Sequence, residues 1–129
     1  MLLNFVFGLG IVTLILLATK KNLFPLRSIF TGNWNGTYIG ESDNGAWSIL
    51  VTGDGKITGT IISSVSKSDY IVTGSVDKNG IIEMAIREEY IIVFDGILNA
   101  NSATATGTYI NLTTDPGQSG TWFGEKQFN

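Results

Sequence analysis

NWNGTYIGESDNGAWSILVTGDGKITGTIIS, residues 33–63, divides into three short runs of alternating side chains parted by turn-forming residues. Trp34, Gly36, Tyr38 and Gly40 fall on one side of the first run, and Trp47, Ile49 and Val51 on one side of the second. A period of two is the spacing of a β-strand, whose successive side chains point to opposite faces. Asp43-Asn44-Gly45 and Gly53-Asp54-Gly55 supply residues that tolerate positive φ, as tight hairpins require. Connections this short leave no room for a crossover, so each strand pairs antiparallel with the next.

The same texture continues to the carboxyl end. The pattern predicts strands over 33–41, 46–52, 56–63, 70–76, 81–87, 90–98, 103–112 and 120–126. Asp77-Lys78-Asn79-Gly80, Asn99–Ser102 and Asp115-Pro116-Gly117 mark further turns. The fold class expected is therefore mainly β: a small antiparallel up-and-down β-barrel of about eight strands, since closure removes exposed sheet edges. Glycine interrupts most of the strands, which suits chains that coil tightly beneath large neighbours. Trp34, Tyr38, Trp47, Tyr109 and Phe123 are the aromatics expected to fill the bore beside those glycines.

The sixth strand breaks the alternation. Tyr90-Ile91-Ile92-Val93-Phe94 is apolar on both faces, so Ile91, Val93 and Ile97 cannot share the interior with Ile92 and Phe94. Ile82, Met84 and Ile86 lie on one side of the fifth strand and Ile81 on the other. An outer patch around Ile91, Val93 and Ile97 is thus expected to be covered by a partner subunit, the connector or the membrane. The competing reading is a local sandwich with both faces internal.

Ahead of the β-region, Leu2–Thr19 reads LLNFVFGLGIVTLILLAT and carries no charge. As a helix it would be roughly 27 Å long, close to the hydrocarbon thickness of a bilayer. It is apolar all round, unlike a surface helix of a soluble core. No Lys or Arg precedes it and no Ala-x-Ala follows, so a retained single-pass transmembrane helix is favoured over a cleaved signal peptide. Gly8 and Gly10 could admit a neighbouring helix, though not at the Gly-x-x-x-Gly spacing. The expected organisation is a transmembrane helix over 1–19, a juxtamembrane connector over 20–31 and a barrel domain over 32–129. Lys20, Lys21 and Arg27 all follow the helix, which places the β-domain on the cytoplasmic side, with the periplasmic or extracellular side as the alternative. In the connector, Pro25 can open a short helix with Leu26, Ile29 and Phe30 on one face. That segment either lies on headgroups with Lys20, Lys21, Phe24 and Arg27, or packs Phe24, Leu26 and Phe30 under an open end of the barrel.

Thr31-Gly32-Asn33-Trp34, followed by Gly53-Asp54-Gly55-Lys56-Ile57-Thr58-Gly59-Thr60, resembles the opening of avidin- and streptavidin-like (calycin-type) barrels. The likeness covers roughly the first three strands and implies an eight-stranded antiparallel barrel. That family holds biotin, but its contact residues are not matched here. Ile61 stands where the family has Tyr, and only Trp47 and Trp122 accompany Trp34.

Composition narrows the chemistry. From Ser28 onward there are five basic residues and all eleven acids, so nucleic-acid binding is not expected. The chain has no histidine and no cysteine, which removes the usual general base, thiolate chemistry and the commonest transition-metal ligands. Glu88 and Glu89 are adjacent, Glu41 and Asp43 sit at a loop edge, and neither pair suggests a carboxylate dyad. No calcium loop or phosphate-cradling glycine motif is complete. No catalytic residue, metal or cofactor is expected. Two functions remain. One is a non-catalytic, membrane-anchored accessory subunit of a larger complex, in contact with membrane lipid and with other subunits. It would dock through Gly8, Gly10 and the Ile91–Val93–Ile97 face. The alternative is a calycin-like carrier of a small apolar ligand held in the barrel.

Overall fold

The computed structural model describes residues 27–114 and 117–128. Among them are eight strands: β1 (Gly32–Gly40), β2 (Asn44–Val51), β3 (Lys56–Ser63), β4 (Asp69–Val76), β5 (Ile81–Arg87), β6 (Ile91–Asn99), β7 (Thr104–Asn111) and β8 (Gln118–Lys126). Each pairs antiparallel with its neighbour in sequence. β1 also pairs with β8, from Trp34 opposite Lys126 to Gly40 opposite Gly120, and this ladder closes the barrel. The eight expected strands all form, with ends displaced by no more than a residue or two.

The connections divide between two ends. The base carries the turns at 52–55, 77–80 and 100–103, both chain ends of the described barrel, and the segment from Arg27. The rim carries 41–43, 64–68, 88–90 and 112–114. At the base, Gly55 and Gly80 have φ of 82° and 88°, the left-handed region that glycine enters at little cost. Asp77 shapes the second of these turns, its Oδ1 accepting from the Asn79 and Ile81 N–H groups.

The core is the bore. Trp34, Trp47, Trp122, Ile49, Ile57, Ile61, Val72, Ile82, Met84, Ile86, Phe94 and Leu98 are all buried in one cluster. Each indole N–H finds a backbone carbonyl: Trp34 donates to Phe30 (2.8 Å), Trp47 to Thr37 (3.1 Å) and Trp122 to Thr108 (3.1 Å). A buried indole needs such a partner, because an unmet donor costs about 1–3 kcal/mol. Trp47 and Trp122 meet edge to face at 5.5 Å.

The inward glycines explain how indoles fit in so narrow a tube. A Cβ on Gly96 or Gly107 would run into the Trp122 ring, and one on Gly124 would come within 2.6 Å of the Trp47 ring. Aromatic and glycine thus occupy complementary volumes across neighbouring strands.

Two expectations are corrected here. Phe123 does not enter the bore; it is 63% exposed on the outer wall, opposite Thr37 and Thr106. Trp122 takes the inward position, since only one of two adjacent strand residues can face in. Nor do Ile29 and Phe30 share a face. They form a turn in which Ile29 is 66% exposed and Phe30 is buried. The Ser28 hydroxyl accepts from the Phe30 N–H (3.2 Å) and the Ser28 N–H donates to the Gly53 carbonyl (2.8 Å), which holds a turn where a helix was expected. Phe30 therefore plugs the base, its ring lying near Gly80.

Candidate functional site

Three places on the barrel offer side chains for function: the bore, the rim and the outer wall. Trp34, Tyr38 and Trp47 lie in the bore, and Tyr109 is half-buried against them. The base end is stopped by Phe30 and the Trp34 indole hydrogen-bonded to its carbonyl. The rim end is roofed by aromatics. Tyr109 meets Tyr38 edge to face at 5.7 Å and Phe94 at 5.6 Å, and Tyr70 meets Tyr90 at 5.8 Å.

A polar hub fixes this roof. The Asp43 carboxylate accepts from the Tyr38 hydroxyl (2.9 Å), the Ser63 hydroxyl (2.6 Å) and the Asn44 N–H (2.8 Å). Ser63 is itself buried, and its oxygen accepts from the Val65 and Ser66 N–H groups, so the 64–68 loop hangs from the same hub. Burial, followed by the Asp43 hydrogen bond and charge, pushes the Tyr38 hydroxyl well above the ordinary tyrosine value. Burial raises Tyr109 as well, with the Asp43 and Glu41 charges adding to it. Both phenols are therefore held neutral. They donate and pack; neither is poised to give up a proton near neutrality.

Sequence reading placed Asp43 at a loop edge and missed this hub, because Ser63 is twenty positions away and reaches it only through the β2–β3 pairing. With its oxygens shared among three donors, Asp43 acts as a tie between β1, β2 and β3. Among the described residues, no group of three or more Asp, Glu, His or Cys is placed to hold a metal ion.

The outer wall of β5 and β6 carries the other candidate residues. Ile91 and Ile97 are 45% and 41% exposed and Val93 is half-buried. Pairing widens the patch: Ile97 lies opposite Ile81, and Val93 lies between Ala85 and Ile110. Two carboxylates interrupt it, Glu83 directly opposite Asp95. A groove of about 400 Å³ runs across this wall, floored by Ala85 and bordered by Thr73, Val93, Arg87 and the two acids. Its upper end begins where the β4–β5 ladder stops, at Thr73 opposite Ala85.

Arg27 is exposed at the base. Gly8, Gly10, Lys20, Lys21 and Phe24, with the span over 1–19, lie outside the described residues. Among the described residues, no helix is long and apolar enough to cross a membrane. Comparison with protein-family models, curated proteins and solved structures returned no match. The eight-stranded closed antiparallel barrel agrees in architecture with the calycin-type resemblance of the first strands.

Proposed function

We propose that this protein is a non-catalytic, membrane-anchored accessory subunit whose barrel works through its outer wall. The observation that carries the reading is the filled bore. Three indoles, Phe94 and a layer of aliphatics occupy the space where a carrier would hold its ligand. Phe30 stops one end and Tyr38, Tyr109 and Phe94 cover the other. Meanwhile Ile81, Ile91, Val93, Ile97 and Ile110 form an apolar area on one side of the wall. The Glu83–Asp95 pair divides this area, and apolar side chains clustered on one wall around a few charged groups suit a protein–protein contact. The uncharged run Leu2–Thr19 supplies the tether, and single-pass anchoring keeps the wall beside other membrane subunits.

The test is co-purification in mild detergent from the native membrane. The full chain is expected to bring stable partner chains with it. Ile91→Asp and Ile97→Asp, both at exposed positions, are expected to leave the barrel folded and to release those partners. Extraction of the unaltered chain as a lone monomer would remove the subunit reading.

A further inference from the structure

The two ends of the barrel differ in charge. The base carries Arg27, Lys56, Lys78 and Lys126 against Asp54, Asp77 and Glu125. The rim carries Lys67 and Arg87 against Glu41, Asp43, Asp69, Glu88 and Glu89. The base is thus slightly positive and the rim strongly negative. A strand of eight or nine residues is roughly 26–30 Å long, and charges are screened over about 8–10 Å in ordinary salt. A flat charged surface would therefore interact with one end at a time.

The chain also joins its amino-terminal part at the positive end. The Ser28 N–H is bound to the Gly53 carbonyl in the base turn. Seven residues, Lys20–Leu26, separate Thr19 from Arg27, and two of them are lysines. Fully extended, they reach at most about 25 Å. Exposed apolar side chains occur at both ends, Ile29 and Phe128 at the base and Val65 and Leu112 at the rim, so apolar surface alone does not choose between them. Charge does. The Lys126 ammonium sits 5.8 Å above the Phe128 ring, pairing a cation with an aromatic of the kind found at headgroup depth.

We propose that the base is a lipid-facing surface. Arg27, Lys56, Lys78 and Lys126 rest on anionic phospholipid headgroups, Ile29 and Phe128 enter the interfacial layer, and the acidic rim points away from the bilayer. This rests on the anchored reading above and adds an orientation to it: the barrel axis stands up from the membrane, and the β5–β6 wall faces sideways along it, toward neighbouring subunits. An acidic domain on a short tether to an anionic surface is repelled in most orientations, and standing on its base relieves that repulsion.

The chain has no native cysteine, so single cysteines can report on each end. Asn79→Cys in a base turn and Ser64→Cys in a rim loop both replace exposed, uncharged residues. The spin-labelled full chain is reconstituted into vesicles of phosphatidylcholine alone, or of phosphatidylcholine with phosphatidylglycerol. Collision with a water-soluble paramagnetic nickel complex is then measured. In anionic vesicles the base label is expected to be several-fold less accessible than the rim label. The difference should shrink in neutral vesicles, in high salt, and when Lys56→Gln and Lys78→Gln are combined. Equal accessibility of the two labels in anionic vesicles overturns the proposal, as does base protection indifferent to lipid charge and salt. Flotation of the same vesicles separates the two readings. A chain that floats with equally exposed labels loses the orientation only; a chain that does not float loses the anchor and the orientation together.

Discussion

Trp122→Ala removes the side chain that most directly occupies the bore. The indole is 2% exposed, fits above Gly96 and Gly107, and meets Trp47 at 5.5 Å. Glycines cannot move side chains into the space it leaves, so collapse should be incomplete. A residual cavity on the order of 100 Å³ costs about 2.4 kcal/mol at roughly 24 cal/mol per Å³, and lost transfer free energy adds about 2 kcal/mol. The hydrogen bond to the Thr108 carbonyl is worth about 1 kcal/mol more. The expected loss is about 5 kcal/mol, a fall in melting temperature on the order of 20 °C or more for a domain of this size. Far-UV circular dichroism of the full chain in mild detergent measures it. The variant should also gain binding of a small apolar probe such as benzene, which the unaltered chain lacks. A loss below about 1 kcal/mol, or equal probe binding by both chains, would refute the filled bore.

Other consequences are local. Ala103 adopts φ 59°, so Ala103→Gly should raise stability by about 1 kcal/mol in denaturant titration. Gly107→Ala should lower it by about 2 kcal/mol, because the new methyl meets both the Trp122 ring and the Asp95 carbonyl. Glu83 and Asp95 are like charges directly opposed on the outer wall, so Glu83→Gln should stabilise by about 0.5 kcal/mol, an effect that added salt reduces. Tyr38 and Tyr109 have folded-state values raised above 10.0, so their contribution to stability is fully present below that pH. It is lost as pH climbs above it, because the unfolded phenols release protons first. Tyrosinate absorbance should accordingly show Tyr38 and Tyr109 ionising at higher pH in the folded chain than in the unfolded one.

The strands and turns were legible because each carries its own local signal. Period-two runs such as Tyr70-Ile71-Val72-Thr73-Gly74 and loops such as Asp77–Gly80 need no distant partner to be recognised. Antiparallel pairing followed from the short connections, and closure from the need to leave no sheet edge exposed. Phe123 was misplaced because two aromatics stand side by side in β8 and hydrophobicity does not rank them. The flanking glycines hold the missing signal. Gly120, Trp122 and Gly124 share a parity, and in this barrel inward glycines neighbour inward aromatics. The turn at Ile29-Phe30 depends on the Ser28–Gly53 hydrogen bond, and the rim hub depends on Ser63 reaching Asp43. Both are tertiary contacts, and no window of sequence contains them. The outer-wall patch was visible in β6 and in Ile81 of β5, but Ile110 joins it only through the register.

Native mass spectrometry of the full chain, released from the detergent in which it leaves the membrane, tests most directly whether the barrel acts by its surface. The predicted spectrum contains the polypeptide in assemblies with other chains, and its monomer carries no mass beyond that of the polypeptide itself. A monomer that retains a small apolar molecule in one-to-one ratio, and that flies without any partner chain, would contradict the account.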